Sequence, residues 1–455
     1  MTLPERSVSQ RLAAAFSNMA DALPVDLSRV CDAILTDVAG LCVAARNSDY
    51  VRAALQATRE SGACTLIGHR GGFNVATAAL CNGTAAHGED YDDTFEGGPI
   101  HAGAVIVPAL LAAAENHGRA GNDVFRGIAV GCEVMCRLCL VAPKRVHQAG
   151  FHPTAVFGAL GAAAGVASAL RLDETQWFNA LGIAGSMASG IIEYLAEGAW
   201  TKRMHAGWAA QAGYRAARMA QAGFTGPRTL FDGEHGFFHA FANMDDCDFG
   251  AMLDGAGRRW LAADIAFKPY ACGTMAHPYI DCARKLVSDG VAAGDVVSIE
   301  CKTAEGIVHR LWEPLAAKQN PPNGYAAKFS IPYAIAVGML RGDAGLVEYE
   351  EAVVQDPAVR ALAGKVRYRI DPDNPYPRHF TGHMRVTLES GEVREASQQY
   401  FRGGREAPMS PEALEAKFIA NCAYGGWNEI RARRALAVLR SLPDASPVDL
   451  AELRG

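Results

Sequence analysis

The sequence lacks several features that mark whole classes of protein. Its 43 basic and 49 acidic residues give a net charge of −6 without a basic stripe, so we expect no nucleic-acid partner. Its longest nearly apolar run, 102–114, is too short to span a bilayer and contains Pro108, so we expect no membrane partner. The first residues carry charges between short apolar pieces, without a continuous signal core. We also find no internal repeat and no low-complexity tract.

Composition bounds the class of protein further. The 12 cysteines are scattered and lie mostly in apolar surroundings, which suits a reducing compartment better than a disulfide framework. We therefore expect a cytoplasmic protein. A chain of 455 residues, half of them hydrophobic and a fifth charged, is long enough for two domains and a large core.

The periodicity of the sequence predicts a mainly α fold. Residues up to about 265 show helical spacing, set off by Gly, Asp and Pro, over 28–45, 122–142, 153–170, 174–189 and 202–222. Strand-like alternation follows over 296–303, 366–370 and 384–389, and the helical pattern returns after Pro408. We predict a large all-helical domain built from both chain ends, 1–267 and 405–455, with an inserted smaller α+β lid domain over 268–404.

Local signals add detail to this prediction. Asp173 is a candidate N-cap, with Gln176 at the third helical position. The glycines of 158–165 lie on or near one helical face and predict a close approach of two helices. Pro108 is expected in the first turn of a helix, and 390–391 (SG) predicts a hairpin turn.

One acidic stretch, HGEDYDDTFEGGPIHAGAVIVP over 87–108, interrupts this helical pattern. It contains four carboxylates and two histidines, His87 and His101, and lies between apolar segments that are predicted to be core helices. Solvated acidic loops are common, but they rarely lie between such helices with a histidine at each end. Because a polar loop set among core helices is a typical functional site, we predict that this loop carries chemistry.

Two metal hypotheses compete with that interpretation. Asp90, Asp92 and Asp93 offer oxygen ligands, but a calcium loop normally adds a bidentate Glu at a fixed later position. Cys132, Cys136 and Cys139 match an iron–sulfur spacing, yet they fall on one face of a predicted helix and not on a loop that can wrap a cluster. We therefore predict no metal.

Other candidate residues follow along the chain. His152 precedes Pro153 at a predicted helix start, where free N–H groups attract anions. Lys202, Arg203 and His205 crowd another helix start, where cations oppose the helix dipole and cost stability unless they bind a ligand. A substrate with several carboxylates would explain them, and a lysine in an apolar pocket can also act as a base. The segments around Tyr270, His277 and Tyr333 fall at or beyond the predicted domain junction, a favoured place for small-molecule sites.

Together these segments resemble the MmgE/PrpD family. The matching segments occur in the family's order and span most of the chain: 82–87 (NGTAAH), 90–94 (DYDDT), 151–154 (FHPT), 201–203 with 205–213 (TKR, HAGWAAQAG), 268–270 (KPY) and His277. The resemblance implies a helical domain with a lid, a cofactor-free active site between them and a homodimer. It implies pocket residues at Asp93, His101, His152, Lys202, His277 and Tyr333.

The reaction implied by the resemblance starts beside a carboxylate of a di- or tricarboxylic acid. We expect Lys202 and His101 as base and acid with Asp93 orienting His101, His152 as a further catalytic residue, and Arg203, His277, Tyr333 and Tyr270 as substrate-binding residues. Dehydratases of the family typically carry His-Pro followed by an Asp-Asn pair, whereas the matching segment here, 101–105 (HAGAV), has no acid or amide after the histidine. We therefore expect an epimerase of the iminodisuccinate type.

Two alternatives remain open at this point. The first is a lyase that resembles cis-aconitate decarboxylase or 2-methylcitrate dehydratase. The second is a non-catalytic carboxylate-binding protein, which would need the cations but neither His101 nor Asp93.

Overall fold

The computed structural model of the chain describes residues 6–19 and 22–455. Its contacts divide the chain into two units: unit 1 comprises Met1–Ile265 and Pro411–Gly455, and unit 2 comprises Ala266–Ser410. The predicted boundaries at 267/268 and 404/405 lie close to these divisions, although residues 1–5 of the predicted helical domain are outside the described part. The domain division itself, and the role of the inserted part as a lid, stay predictions.

The first segment of unit 1 is almost entirely helical, as predicted. Its α-helices are α1 (Val8–Ser17), α2 (Val25–Ala45), α3 (Asp49–Thr58), α4 (Val75–His87), α5 (Gly103–His117), α6 (Gly121–Val141), α7 (Arg145–Gln148), α8 (Pro153–Ala169), α9 (Glu174–Met187), α10 (Tyr194–Glu197), α11 (Thr201–Gln221), α12 (Phe237–Ala242) and α13 (Gly250–Leu253). Short strands are β1 (Ser61–Cys64), β2 (Thr94–Phe95) and β3 (Ile265–Ala266).

The core of unit 1 is built from helices rich in small residues. Every residue of α8 is buried, and α8 packs against α6 and α11. A Cβ atom at Gly165 would lie 2.8 Å from the carbonyl oxygen of Gly127, so only glycine allows α6 and α8 to approach this closely. This confirms the close helix approach that the glycines of 158–165 predict. The result is a rigid frame whose helix ends carry the candidate site.

Local sequence explains where several of these helices begin. Asp173 caps α9 as predicted, since its carboxylate accepts the N–H of Gln176 and the side chain of Gln176 reaches back. Pro153 begins α8, where its missing N–H costs nothing. Pro108 differs from the prediction: α5 begins at Gly103, so this proline lies in the second turn rather than the first. Gly103 and Ala104, which precede Pro108 in the chain, are small and buried, so α5 can begin at Gly103.

Unit 2 combines helices with a four-stranded mixed sheet. Its α-helices are α14 (His277–Ser288), α15 (Glu305–Leu311), α16 (Leu315–Gln319), α17 (Gly324–Ala327), α18 (Ile331–Arg341), α19 (Glu351–Val354) and α20 (Pro357–Ala363), and its strands are β4 (Val296–Thr303), β5 (Val366–Ile370), β6 (Gly382–Leu388) and β7 (Val393–Gln398). The strand order is β5-β4-β6-β7, with β4 parallel to β5 and antiparallel to β6. The three predicted strands are confirmed.

The register of this sheet follows its alternating pattern. Ile299 pairs with Val366 on one side and with Val386 on the other, and all three side chains are buried. Helix α14 packs against β6 and β7. The predicted hairpin turn between β6 and β7 has Gly391 at φ 82°, a left-handed conformation that glycine adopts freely.

The chain then returns to unit 1 through α21 (Pro411–Tyr424) and α22 (Glu429–Ser441). Helix α21 packs against α2, so the two ends of the chain share one core. The fold is therefore mainly α, and its four-stranded sheet belongs to the inserted unit. In the described part of the chain, no helix is both long and apolar enough to cross a membrane.

Candidate active site

The acidic loop between α4 and α5 turns its carboxylates inward. Helix α4 ends at His87, and Asp90 follows with φ 55°, a left-handed conformation that is uncommon for a residue with a side chain. This reversal brings three aspartates, Asp90, Asp92 and Asp93, into the protein interior, each less than a tenth exposed. The alternative of a solvated acidic surface is therefore wrong for these three residues.

Asp92 is the centre of the buried group. Its carboxylate lies 2.6 Å from Nδ1 of His87 and 3.4 Å from Nδ1 of His101. Burial alone would raise the pKa of Asp92, but the positive charge and hydrogen bonds of the two histidines outweigh it and hold the pKa well below its ordinary value. Asp92 therefore stays ionised, and it accepts a hydrogen bond from Nδ1 of His87.

His101 is oriented by the loop backbone. Its Nδ1 lies 2.7 Å from the carbonyl oxygen of Asp93, which can only accept, so Nδ1 carries the hydrogen. Nε2 of His101 is then free to accept or deliver a proton. Asp93 thus contacts His101 through its carbonyl oxygen, whereas its carboxylate accepts the N–H groups of Ala102 and Gly103 at the start of α5. The carboxylate that faces His101 belongs to Asp92.

Burial also changes the Asp93 carboxyl itself. Removal from solvent, which is the larger cause, and the nearby charge of Asp92 together raise its pKa to about 7. The two N–H donors at the start of α5 work in the opposite direction but do not cancel these effects. Asp93 is thus a helix cap that changes charge near neutral pH, and any catalytic role for it stays a prediction.

Two further histidines extend the group. His152 precedes α8, and its ring stacks on that of His87 with centroids 5.5 Å apart. His205 comes from α11, with its Nδ1 3.2 Å from Nδ1 of His152, so one of the two nitrogens carries the hydrogen. We call His87, His101, His152 and His205 the histidine cluster. Desolvation lowers the pKa of His87 and His152, and it lowers that of His205 to about 4.

Lys202 supplies a cation next to this cluster. It lies in the first turn of α11, and its Nζ is 3.1 Å from Oδ1 of Asp90. Its side chain is 12% exposed, so the charge is largely but not fully removed from water. Its neighbour Arg203 makes a different contact: the guanidinium carbon lies over the ring of Tyr50, 4.5 Å from the ring centroid. The hydroxyl of Tyr50 in turn donates to Glu89.

A cleft of about 610 Å³ opens beside the cluster in unit 1. Its walls include His205, Tyr194, Ile191, Met204 and Trp208, and they are mostly apolar. Gly190 lies there with φ 117°, and a Cβ atom at this position would approach Ala155 to 2.7 Å. The cleft therefore gives a small molecule a route to His205.

Three predicted site residues belong to unit 2, where each has its own contacts. The hydroxyl of Tyr270 donates to Asp281 and accepts from Arg284 and Arg402. The ring of His277 lies edge-on to Tyr270, with centroids 5.4 Å apart.

Tyr333, the third of these residues, is tied to the backbone. Its hydroxyl donates to the carbonyl oxygen of Glu348, and its ring packs against that of Tyr349. Unit 2 thus brings Tyr270 and His277 into direct contact. A substrate-binding role for these three residues stays a prediction.

The metal hypotheses gain no geometric support. Among the described residues, His87, Asp92 and His101 form the group with suitable ligand spacing. However, 2.6 Å between Nδ1 of His87 and Asp92 is a hydrogen-bond distance, shorter than the separation of two atoms that each lie about 2 Å from a tetrahedral ion. The cysteines of 132–139 are buried on α6 as predicted, and burial raises the pKa of the Cys139 thiol to about 12.

Sequence reasoning assigned no catalytic role to four residues that the structure brings together here: His87, Asp90, Asp92 and His205. His87 and Asp92 are five positions apart, across a helix end, and no periodicity predicts that contact. Asp90 could have been distinguished from Asp93 only by knowing that its backbone is left-handed. His205 carried one signal, since it lies three residues after Lys202 and therefore on a similar helix face.

Buried histidines around an ionised carboxylate, with a lysine at the edge, define an acid–base site on a mainly α fold. Family models agree with that class: the MmgE/PrpD N-terminal domain matches residues 11–250 and the C-terminal domain matches residues 270–441. The chain belongs to the MmgE/PrpD family, which confirms the resemblance stated above.

Similar proteins include several with names that state a reaction. Human cis-aconitate decarboxylase is 31% identical over 384 residues, covering 81% of this chain and 76% of the human protein. Cis-aconitate decarboxylase of Aspergillus terreus is 27% identical over 430 residues, covering 88% and 86%. 2-Methylcitrate dehydratase of Cupriavidus necator is 30% identical over 147 residues, covering 30% and 29%. These relatives are lyases, so they support the lyase alternative and give no support to the epimerase prediction.

Proposed function

We propose that this protein is a lyase that removes carbon dioxide from an unsaturated tricarboxylate of the cis-aconitate type. The observation that carries the proposal is the pairing of one lysine, Lys202, with a cluster of buried histidines whose pKa values are mostly depressed. A polyanionic substrate needs a cation to hold it, and a carbanion formed on it needs a proton donor. Similarity to cis-aconitate decarboxylases over most of the chain supports the same reaction.

The bond changes balance without an added reactant. The bond between the methylene carbon and its carboxylate carbon breaks. Its electron pair forms a new double bond between the methylene carbon and the central carbon. The double bond shifts, so negative charge collects on the carbon next to the opposite carboxylate. A proton added to that carbon completes itaconate, and carbon dioxide leaves. The catalyst must therefore hold a carboxylate that accumulates charge and must deliver one proton.

The residues of unit 1 fit these two tasks. Lys202 would bind the carboxylate that gains electron density, where a fixed cation in a partly dry site is most effective. His101 would deliver the proton from Nε2, since its Nδ1 is held by the carbonyl oxygen of Asp93. Asp92 would support the positive charge of His101 before transfer. His152 would contact the substrate from the start of α8, where the helix dipole favours an anion.

A dehydratase of the 2-methylcitrate type is the second candidate. A relative with that name matches about a third of the chain. The loop argues against it, because the Asp-Asn pair that such enzymes carry after His-Pro falls on Gly103 and Ala104 here. A Cβ atom at Gly103 would lie 2.5 Å from Oδ1 of Asp93, so an acidic side chain there requires Asp93 to move.

Proton NMR in heavy water tests the proposal directly. The purified protein is offered cis-aconitate, 2-methylcitrate and iminodisuccinate separately, with the His101→Gln variant as the background control. Itaconate carrying one deuterium, formed from cis-aconitate and absent with the variant, is the expected result. A vinyl signal from 2-methylcitrate alone would favour dehydration, and deuterium exchange in iminodisuccinate alone would return the assignment to an epimerase. Binding of all three acids without turnover would favour a non-catalytic carboxylate-binding protein.

The finer properties implied by the resemblance are part of this proposal. We propose a homodimer without a cofactor that acts in the cytoplasm on a small polycarboxylate. Light scattering of the purified protein measures the first of these properties. Activity after dialysis against a chelator measures the second.

A further inference from the structure

A second lysine reaches the acidic loop from the far end of the chain. Lys417 lies on α21 and is 3% exposed, and its Nζ is 2.6 Å from Oδ1 of Asp37 on α2. Asp37 is 1% exposed. A buried ion pair of this kind gains little stability over an apolar pair of the same volume, so its presence calls for another reason.

The contacts of Lys417 supply that reason. Its Nζ donates to the carbonyl oxygen of Tyr91 at 2.8 Å, across a sequence separation of 326 residues. The same Nζ lies 3.9 Å from the centroid of the Tyr91 ring, within the range of a cation–π interaction. Both the backbone and the side chain of Tyr91 are therefore held by a single ammonium group.

Tyr91 occupies a decisive position in the loop. It separates Asp90, which pairs with Lys202, from Asp92, which contacts His87 and His101. The backbone just before it is left-handed at Asp90, a conformation that persists in a residue with a side chain only where the surroundings hold it. Fixing the Tyr91 carbonyl fixes the direction of the carboxylates on either side.

We propose that Lys417 is a positioning residue that anchors Tyr91, so that Asp90 meets Lys202 and Asp92 meets the two histidines. Lys417 acts through the loop and does not contact the substrate. The activity part of this proposal rests on the proposed decarboxylation, whereas the order of the loop can be measured without any substrate. Neutralising Asp37 is the rival role, and it would require no contact with Tyr91.

Four variants separate the two roles. Lys417→Met removes the anchor and also the cation that lies 2.6 Å from the buried Asp37 carboxylate, so it is expected to lose stability. Asp37→Asn/Lys417→Met removes both charges and is expected to melt near the parent temperature. Lys417→Arg keeps a cation as the conservative replacement. Arg433→Met breaks an exposed ion pair with Glu415 and serves as the matched control.

The double variant gives the deciding result. With parental melting, we expect its kcat on cis-aconitate to fall about 30-fold or more, with KM changed less than about threefold, because misaligned acid–base groups mainly slow the chemical step. Amide hydrogen exchange over residues 88–94 should rise about tenfold or more, since opening of the loop becomes easier. Lys417→Arg should recover a large part of both losses, and Arg433→Met should change neither.

Parental kcat and parental exchange in the double variant would overturn the proposal and leave Lys417 as a neutralising charge for Asp37. If the parent protein does not turn over cis-aconitate, the proposed function fails, but exchange over residues 88–94 still decides the role of Lys417. Unchanged exchange in that case counts against the anchor, and raised exchange supports it.

Discussion

The histidine cluster of unit 1 and the Tyr270–His277 contact of unit 2 are both buried polar groups, but their hydrogen bonding differs. Within the described residues, Nε2 of His87 is buried and has no hydrogen-bond partner. The hydroxyl of Tyr270 has three partners at ordinary distances, although Oδ2 of Asp281 beside it is also buried without a hydrogen-bond partner. Buried polar atoms normally find partners, so an atom left without one marks a place where the native structure serves something besides stability.

The two regions also differ in how they treat charge. Unit 1 keeps Asp92 ionised while burial lowers the pKa of His87 and His152, which separates proton acceptors from a fixed negative charge. In unit 2, burial and the nearby Asp281 raise the pKa of Tyr270 to about 12, which keeps its hydroxyl protonated. The first arrangement suits proton transfer, and the second suits a structural hydrogen bond. Four measurements test this difference.

The largest effect is expected for His101→Gln. Glutamine keeps polarity but cannot deliver the proton, so kcat should fall about 10³-fold, within the usual range for loss of a general acid. The measurement is the initial rate of itaconate formation by NMR. The control is His309→Gln, an exposed histidine on α15 that should keep the parent rate. A rate within threefold of the parent would remove His101 from the reaction.

A smaller loss is expected for Asp92→Asn. The amide cannot support positive charge on His87 and His101, so kcat should fall about 10²-fold while the protein still folds. The pH profile of kcat should shift as well, because the fixed negative charge has gone. An unchanged rate and profile would mean that Asp92 serves only the packing of the loop.

The acid stability of the protein should depend on His205. Its pKa is about 4 in the folded protein against an ordinary value of 6.5, so the unfolded chain takes up the proton first as pH falls. Its stabilising contribution is complete above pH 6.5 and is lost towards pH 4, by about 3 kcal/mol. In urea unfolding, His205→Gln should therefore show a shallower loss of stability over this window. Parallel curves for parent and variant would contradict the assignment.

The smallest effect is expected in unit 2, for Tyr270→Phe. Loss of the hydroxyl leaves Asp281 and two arginines short of one partner, so the free energy of unfolding should fall by about 1 kcal/mol. If the hydroxyl is structural, kcat and KM should both stay within about threefold of the parent. A tenfold rise in KM would instead establish the substrate-binding role that the sequence predicts, and would remove the contrast between the two regions.

The sequence predicted the helices and strands well because their signals are local. The turn at Gly391 and the cap at Asp173 are examples, since each depends on residues within a few positions. The loop was recognised as a site from its composition, but the roles of its aspartates were not. Which carboxylate caps a helix and which meets a histidine depends on the left-handed backbone at Asp90, and no pattern of residue types encodes that conformation.

Local sequence patterns do not predict contacts between segments that are distant in the chain. Nothing near Lys417 marks it as a neighbour of Tyr91, because the contact exists only once α21 packs against α2. The family resemblance implied a set of reactions without separating them. Side-chain geometry, such as the lack of room at Gly103, adds the kind of information that separates one reaction from another.

The return of α21 to the first unit has a consequence for synthesis in the cell. Tyr91 leaves the ribosome 326 residues before Lys417, a delay of about 15 to 65 s at ordinary elongation rates. During that time the buried face of α2 has no α21 to cover it, so the nascent chain exposes an apolar surface suited to chaperone binding. Catalytic competence would then arrive only with the last helices, which protects a half-made chain from working on its substrate.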